Sequence, residues 1–119
     1  CAPNLKATFH RAFEKLPDPT GGISELKCHP QIDCILSRGY GEAWTAELDR
    51  FIEWERAARP EIRMLLGAGI NNRDAIKIFC KASTIRAFHV GRAARDGEKI
   101  DGVVLTERVR ELAELIKAY

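Results

Sequence analysis

The sequence predicts an α/β protein of four βα units with parallel strands, and three observations carry that prediction. Four short runs of aliphatic and β-branched residues recur along the chain. They alternate with stretches of helical periodicity. The connections between them are too long for hairpins, so successive strands run parallel with a crossover between each pair. An open four-stranded sheet with helices on both faces is the structural alternative.

Strands are expected at residues 5–10, 32–37, 62–66 and 85–90, each of ordinary strand length. The first helix is weak, because Pro17, Asp18, Pro19 and the Gly21-Gly22 pair argue for a loop, leaving about residues 23–28 to be helical. The second places Trp44, Leu48, Phe51 and Ile52 at helical spacing. It ends near Arg59, since Pro60 disfavours helical geometry in the residue before it. The third opens after Asn71-Asn72, either of which suits a cap, and aligns Ala75, Ile78, Phe79 and Ala82. The fourth starts at a Thr106 cap and aligns Val109, Leu112, Ala113 and Ile116.

The length of 119 residues fits one domain, residues 1–119, with 45% hydrophobic and 30% charged residues, the balance of a soluble globular chain. A net charge of +2 is too small to suggest a nucleic-acid or membrane-surface protein. No apolar run approaches the roughly 20 residues that span a bilayer, and no basic region precedes an apolar one as in a signal peptide. The chain opens Cys1-Ala2-Pro3 without a methionine, as expected of a processed chain or of part of a longer reading frame. Cys1, Cys28, Cys34 and Cys80 form no CxxC pair. That favours reduced thiols, with Cys34 and Cys80 as small hydrophobes, over a disulfide or a zinc site.

Strand alternation locates the polar groups, because successive side chains point to opposite faces. Leu5, Ala7 and Phe9 oppose Lys6, Thr8 and His10; Ile32, Cys34 and Leu36 oppose Asp33, Ile35 and Ser37. Ile62, Met64 and Leu66 oppose Arg63, Leu65 and Gly67; Phe88 and Val90 oppose Ala87, His89 and Gly91. The first-named set of each strand suits packing against helices. The second set turns polar or glycine at its carboxyl end, where ligand sites of parallel α/β folds lie. His10, Arg11, Ser37, Arg38, Gly67, Gly69, His89, Gly91 and Arg92 are therefore the candidate ligand-binding residues. Gly67 and Gly69 would let the backbone approach a ligand, and Gly91 with Arg92 suits a small anion. No Walker-type Gly-Lys-Ser/Thr is present.

The order of these segments resembles the CutC copper-homeostasis family. Thr8-Phe9-His10-Arg11-Ala12-Phe13-Glu14 is similar to that family's most recognisable motif, which usually ends in Asp. Ile35-Leu36-Ser37-Arg38-Gly39 resembles its Leu-Thr-Ser-Gly segment, with Arg38 in place of a small residue. Gly67-Ala68-Gly69-Ile70 resembles its glycine turn, and Phe88-His89 with Ala94-Arg95 its last strand, Val90-Gly91 replacing the common serine. The resemblance implies the C-terminal half of a TIM (β/α)8 barrel, lacking the four strands that supply much of the family's polar pocket. It also implies a cytoplasmic protein of copper handling, with Cu(I) as the bound metal.

The residues themselves give copper little. Cu(I) prefers soft ligands, and Cys28-His29 and Met64 are the nearest, the first in a helix-to-strand turn and the second facing a helix. No metal site is assigned. Two functions stand: a non-catalytic copper-homeostasis protein, and an enzyme or binding protein for a small anionic or phosphorylated metabolite. In the latter, His10 or His89 would be the acid-base group and Arg11, Arg38 or Arg92 the clamp. No nucleophile-base-orienter set is visible, which favours the non-catalytic reading. Open strand edges further predict association, with a missing N-terminal half-barrel or with a second copy.

Overall fold

A computed structural model describes residues 4–38, 47–67, 70 and 73–119. Four strands, β1 (Ala7–Phe9), β2 (Ile32–Ser37), β3 (Arg63–Leu66) and β4 (Ala87–Phe88), form one sheet in the order β1-β2-β3-β4. Every neighbouring pair is parallel. Four helices follow them in turn: α1 (Pro19–Leu26), α2 (Leu48–Ala58), α3 (Arg73–Ala82) and α4 (Thr106–Lys117). The α/β alternation and the parallel sheet are as the sequence predicts.

The helices gather on one face. Residues paired across a parallel sheet share a face, and Phe9, Ile35 and Met64 are linked by register, as are Leu66 and Phe88. All of these pack into a single core with Ile23, Phe51, Trp54, Ile76, Phe79 and Leu112 from the four helices. Strands met in sequence order, each crossover returning over the same side, produce this one-sided arrangement. Among the described residues no helix lies on the other face, unlike the alternative with helices on both.

Aromatic rings form the centre of that core. Phe79 stands edge-on to Phe51 at 5.4 Å, and Phe51 and Phe13 each stand edge-on to Trp54 at 6.1 and 5.1 Å. Such geometry aligns ring edges with ring faces and adds to the apolar burial itself. Lys27 ties two units together at the amino-terminal side of the sheet: its ammonium reaches the carbonyls of Ala57 and Arg59 at 3.1 Å and the Glu61 carboxylate at 3.0 Å. A cation there suits the carbonyl-rich end of α2, and the ammonium bond lowers the Glu61 pKa.

Three helix expectations need correction. Helix α1 begins at Pro19, earlier than expected, because Asp18 accepts a 3.0 Å hydrogen bond from the Gly21 amide and Pro19 fills the first helical position, where no amide is needed. In α3 the buried stripe is Ala75, Ile76, Phe79 and Cys80, so Ile78 and Ala82 turn outward. Helix α4 has Leu105 in the cap position and Thr106 as its first residue, and it buries Leu112 and Leu115 while Val109 is exposed. Arg59 ends α2 in extended geometry, as Pro60 requires. Trp44 and Asn71-Asn72 lie outside the described residues.

Candidate functional site

Parallel strands bring their carboxyl ends to one rim, and the structure places most of the candidate residues along it. The faces of β1, β3 and β4 alternate as the sequence implies, whereas β2 is inverted. Ser37 pairs with Leu66 on the helix-facing side, and it is fully buried. The reason is that β2 carries apolar residues on both faces, so hydrophobicity alone does not set its parity; the register with β3 does. Cys34 and Leu36 therefore lie on the other face, together with Thr8, Arg63, Leu65 and Ala87. No described helix covers that face.

Ser37 is held by a group that sequence reading treated only as the end of a motif. Glu14, in a short 3-10 helix spanning Arg11–Lys15, is buried, and its Oε1 accepts from the Ser37 hydroxyl and from the Arg38 amide, both at 2.7 Å. One carboxylate thus clamps the end of β2 to the segment after β1. Ser37 is accordingly not at the rim. The signal that would have found this pair is an acid beside Phe13 with no exposed role, opposite a strand-end hydroxyl.

Gly67 continues the ladder beyond β3, its amide donating to the Ser37 carbonyl at 2.8 Å, and the His89 amide donates to the Leu66 carbonyl at 2.6 Å. A Cβ on Gly67 would stand 2.8 Å from Leu36 Cδ1 and 3.3 Å from His89 Cβ. That position is closed by the protein's own side chains, so its glycine serves packing and not the approach of a ligand. Gly91 meets no such crowding, since nothing lies within 4 Å of a Cβ placed there. Gly69 lies outside the described residues.

His10 is exposed and stacks on Phe9 at 6.0 Å between ring centroids. His89 is also exposed. Both alternate onto the uncovered face, yet they follow β1 and β4, the two outermost strands of the described sheet, which are about 14 Å apart, three inter-strand steps. Arg11, Arg38 and Arg92 have exposed side chains, and none of them meets an acidic partner among the described residues. Among the described residues the rim is therefore cationic, with no ion pair to these three guanidinium groups. Residues 39–46, 68–69 and 71–72, which follow β2 and β3, lie outside the described residues.

Metal-binding donors are dispersed. Among the described residues no group of three His, Cys, Asp or Glu side chains is placed to hold an ion. Met64 and Cys80 are in the helix-side core, Cys34 is buried on the opposite sheet face, and Cys28 is exposed beyond α1 at the amino-terminal side. Burial raises the Cys80 thiol pKa, an effect that Arg86 only partly offsets. In a Cys1→Ser background, a thiol reagent at neutral pH is expected to modify Cys28 rapidly and Cys34 and Cys80 only on unfolding. Equal labelling of all three in the native state would contradict this burial pattern.

A cavity of about 410 Å³ opens at the other end of the sheet, lined by Glu55, Arg59, Arg63, Thr84 and Arg86 among others. Buried Glu55 accepts from the Thr84 hydroxyl and stands 3.9 Å from Arg59, and Arg86 donates to the carbonyls of Ser83, Ile85 and Tyr119. Glu55, Arg59, Thr84 and Arg86 are thus occupied in tying α2 and the residue that follows α4 to the segment before β4. The cavity belongs to the architecture.

No helix among the described residues is long and apolar enough to cross a membrane. Comparison with known proteins bears on the rim directly, because its motifs fall inside the matched region. The CutC family matches residues 1–94, which include all four strands and end before α4. A CutC family protein of Histophilus somni (strain 2336) is 30% identical over 91 residues, covering 75% of this chain and 36% of the relative. The chain thus spans about a third of the length of the curated relative it matches. With four-fifths of its residues inside the family match and a relative 30% identical over three-quarters of its length, the chain belongs to the CutC family.

Proposed function

We propose that this chain serves copper homeostasis as a CutC family protein in the cytoplasm, and that its own contribution is to hold a small anionic ligand at the carboxyl rim of its strands. The observation that carries the anion is the set of three exposed guanidinium groups, Arg11, Arg38 and Arg92, without acidic partners among the described residues. Guanidinium presents a planar fork of donors that suits phosphate or carboxylate, and His89 adds an imidazole on the same rim. Direct caging of copper fits less well, because the described thiols, Cys28, Cys34 and Cys80, and the Met64 thioether are dispersed through different parts of the fold. The copper-related role is read as exercised through a bound small molecule.

The test is a thermal titration with inorganic phosphate and with a sugar phosphate. Saturation at about 100 times the dissociation constant is expected to add about 2.7 kcal/mol of stability. Arg38→Ala should weaken that binding about tenfold while leaving the unliganded melting temperature nearly unchanged, since its side chain is exposed. In parallel, Cu(I) is titrated anaerobically against a competing chelator. Stoichiometric copper binding abolished by Cys28→Ser, with indifference to phosphate, would replace the anion by a thiolate site.

A further inference from the structure

We infer, resting on the anion reading, that His89 is the imidazole of the anion site and that Gly67 is the positioning residue that seats it there. Of the two rim histidines, His10 then stands outside the site.

Gly67 directly follows β3 as His89 follows β4, one place beyond the paired Leu66 and Phe88. Both therefore alternate onto the face opposite the helices. The backbone at Gly67 does not itself require glycine, because positive φ among the described residues is confined to Gly97 and Glu98. The space above it is what excludes a side chain. A Cβ on Gly67 would stand 3.3 Å from His89 Cβ and 3.4 Å from His89 Nδ1. Neighbouring strands ordinarily lie about 4.8 Å apart, so His89 comes closer to β3 than a side chain there would tolerate. With Nδ1 as near to that point as Cβ, the ring leans from β4 over the end of β3. Leu36 Cδ1 closes the same spot from the β2 side at 2.8 Å. The imidazole thus takes a place that exists only because residue 67 lacks a Cβ.

That lean sets the ring among the guanidinium groups. Strand β3 lies between β2 and β4. A ring over Gly67 accordingly stands between the strand end that carries Arg38 and the one that leads to Arg92. It is exposed, and among the described residues neither nitrogen has a hydrogen bond or an ion pair. Nearby, a Cβ on Gly91 would meet nothing within 4 Å, which leaves room for a ligand beside Arg92. A directed ring N–H between two cationic forks suits the separate oxygens of one tetrahedral oxyanion. His10 is placed differently. It follows β1, two inter-strand steps from β3, and its ring is engaged in stacking on Phe9 at 6.0 Å.

Imidazole Hε1 resonances are to be followed by NMR as inorganic phosphate is added at fixed pH. The His89 resonance should shift, and that of His29, in the turn before β2 at the opposite end of the sheet, should stay in place. His89→Ala should weaken phosphate binding about tenfold, the loss of one hydrogen bond to a charged group. Gly67→Ala should weaken it about fivefold, since the ring must give way by a fraction of an ångström. In a His89→Ala background, Gly67→Ala should cost less than about twofold more, because it acts through the ring. A glycine with only a structural role would cost as much in either background. Should Gly67→Ala fail to fold, adding Leu36→Ala removes the 2.8 Å contact and the same cycle is run on that pair. Phosphate that binds and shifts His10 in place of His89 overturns the inference while the anion reading stands. So does a Gly67→Ala loss undiminished by His89→Ala. Phosphate that moves neither a resonance nor the melting temperature overturns the anion reading itself.

Discussion

Phe79→Ala is expected to remove about 3–5 kcal/mol of folding stability, at fixed protein concentration. The ring is wholly buried in α3, faces Phe51 at 5.4 Å and reaches Phe88 of β4 at 6.3 Å, so it bridges two helices and the last strand. Truncation removes the transfer free energy of the ring and leaves a cavity that aromatic neighbours on rigid elements refill poorly. A domain of this size holds on the order of 5–15 kcal/mol in total. The melting temperature should fall on the order of 15–25 °C, and urea unfolding should show a lower midpoint with an unchanged slope. Phe79→Leu, which keeps most of the volume, should cost about 1–1.5 kcal/mol. A loss below about 1 kcal/mol for the alanine variant would mean that the aromatic cluster is not the centre of the core. Fixed concentration matters because association would couple stability to the amount of chain present.

Much of this architecture was legible because it rests on local chemistry. The run of residues 32–37 is bounded by a polar turn and a charged residue, and β2 occupies those six residues. The stop of α2 at Pro60 follows from sterics of the preceding residue. Where reading failed, the deciding term was outside the window. The strand expected over residues 5–10 is paired only over Ala7–Phe9, and the one over 85–90 only over Ala87–Phe88. Both are edge strands with a single neighbour, so their ends lack the bonds that define a strand. The Asp18 cap and Pro19 start of α1 were readable from known preferences, but two adjacent glycines outweighed them in the sum of propensities. In α3 the spacing allows a stripe with Ile78 inward as well as one with Ile76 and Cys80 one step round, and tertiary packing makes the choice for the latter.

The candidate site divides along the same line. His10, Arg38 and His89 stand exposed directly after their strands, where period-two alternation and parallel direction are enough to put them, whereas Arg11 and Arg92 open short 3-10 helices beyond β1 and β4. Ser37 lies on the helix side, against expectation, because β2 has two apolar faces and the partner that holds it, Glu14, comes from a different βα unit. Single-residue chemistry does not reveal such a pair. Only the register of three strands, β1 to β3, brings the acid over the hydroxyl.

That pair yields the second large effect. Glu14→Ala is expected to cost about 2–4 kcal/mol, because it strips an acceptor from the fully buried Ser37 hydroxyl and from the Arg38 amide together. Each bond has a charged acceptor at 2.7 Å, the stronger class of hydrogen bond, and an orphaned buried donor carries its whole desolvation penalty. Glu14→Gln keeps an acceptor oxygen for both donors and should cost only about 1 kcal/mol. A double-mutant cycle separates the causes. Adding Ser37→Ala to Glu14→Ala removes the orphaned hydroxyl, so the double variant should be more stable than the sum of the singles by about 1–2 kcal/mol. Strict additivity would show that Glu14 and Ser37 do not act on each other, and the end of β2 would then need another anchor. The Arg38 amide loses its tether in the same variant, so anion binding at the rim should weaken along with stability. In Glu14→Gln, where the amide keeps its partner, binding should persist.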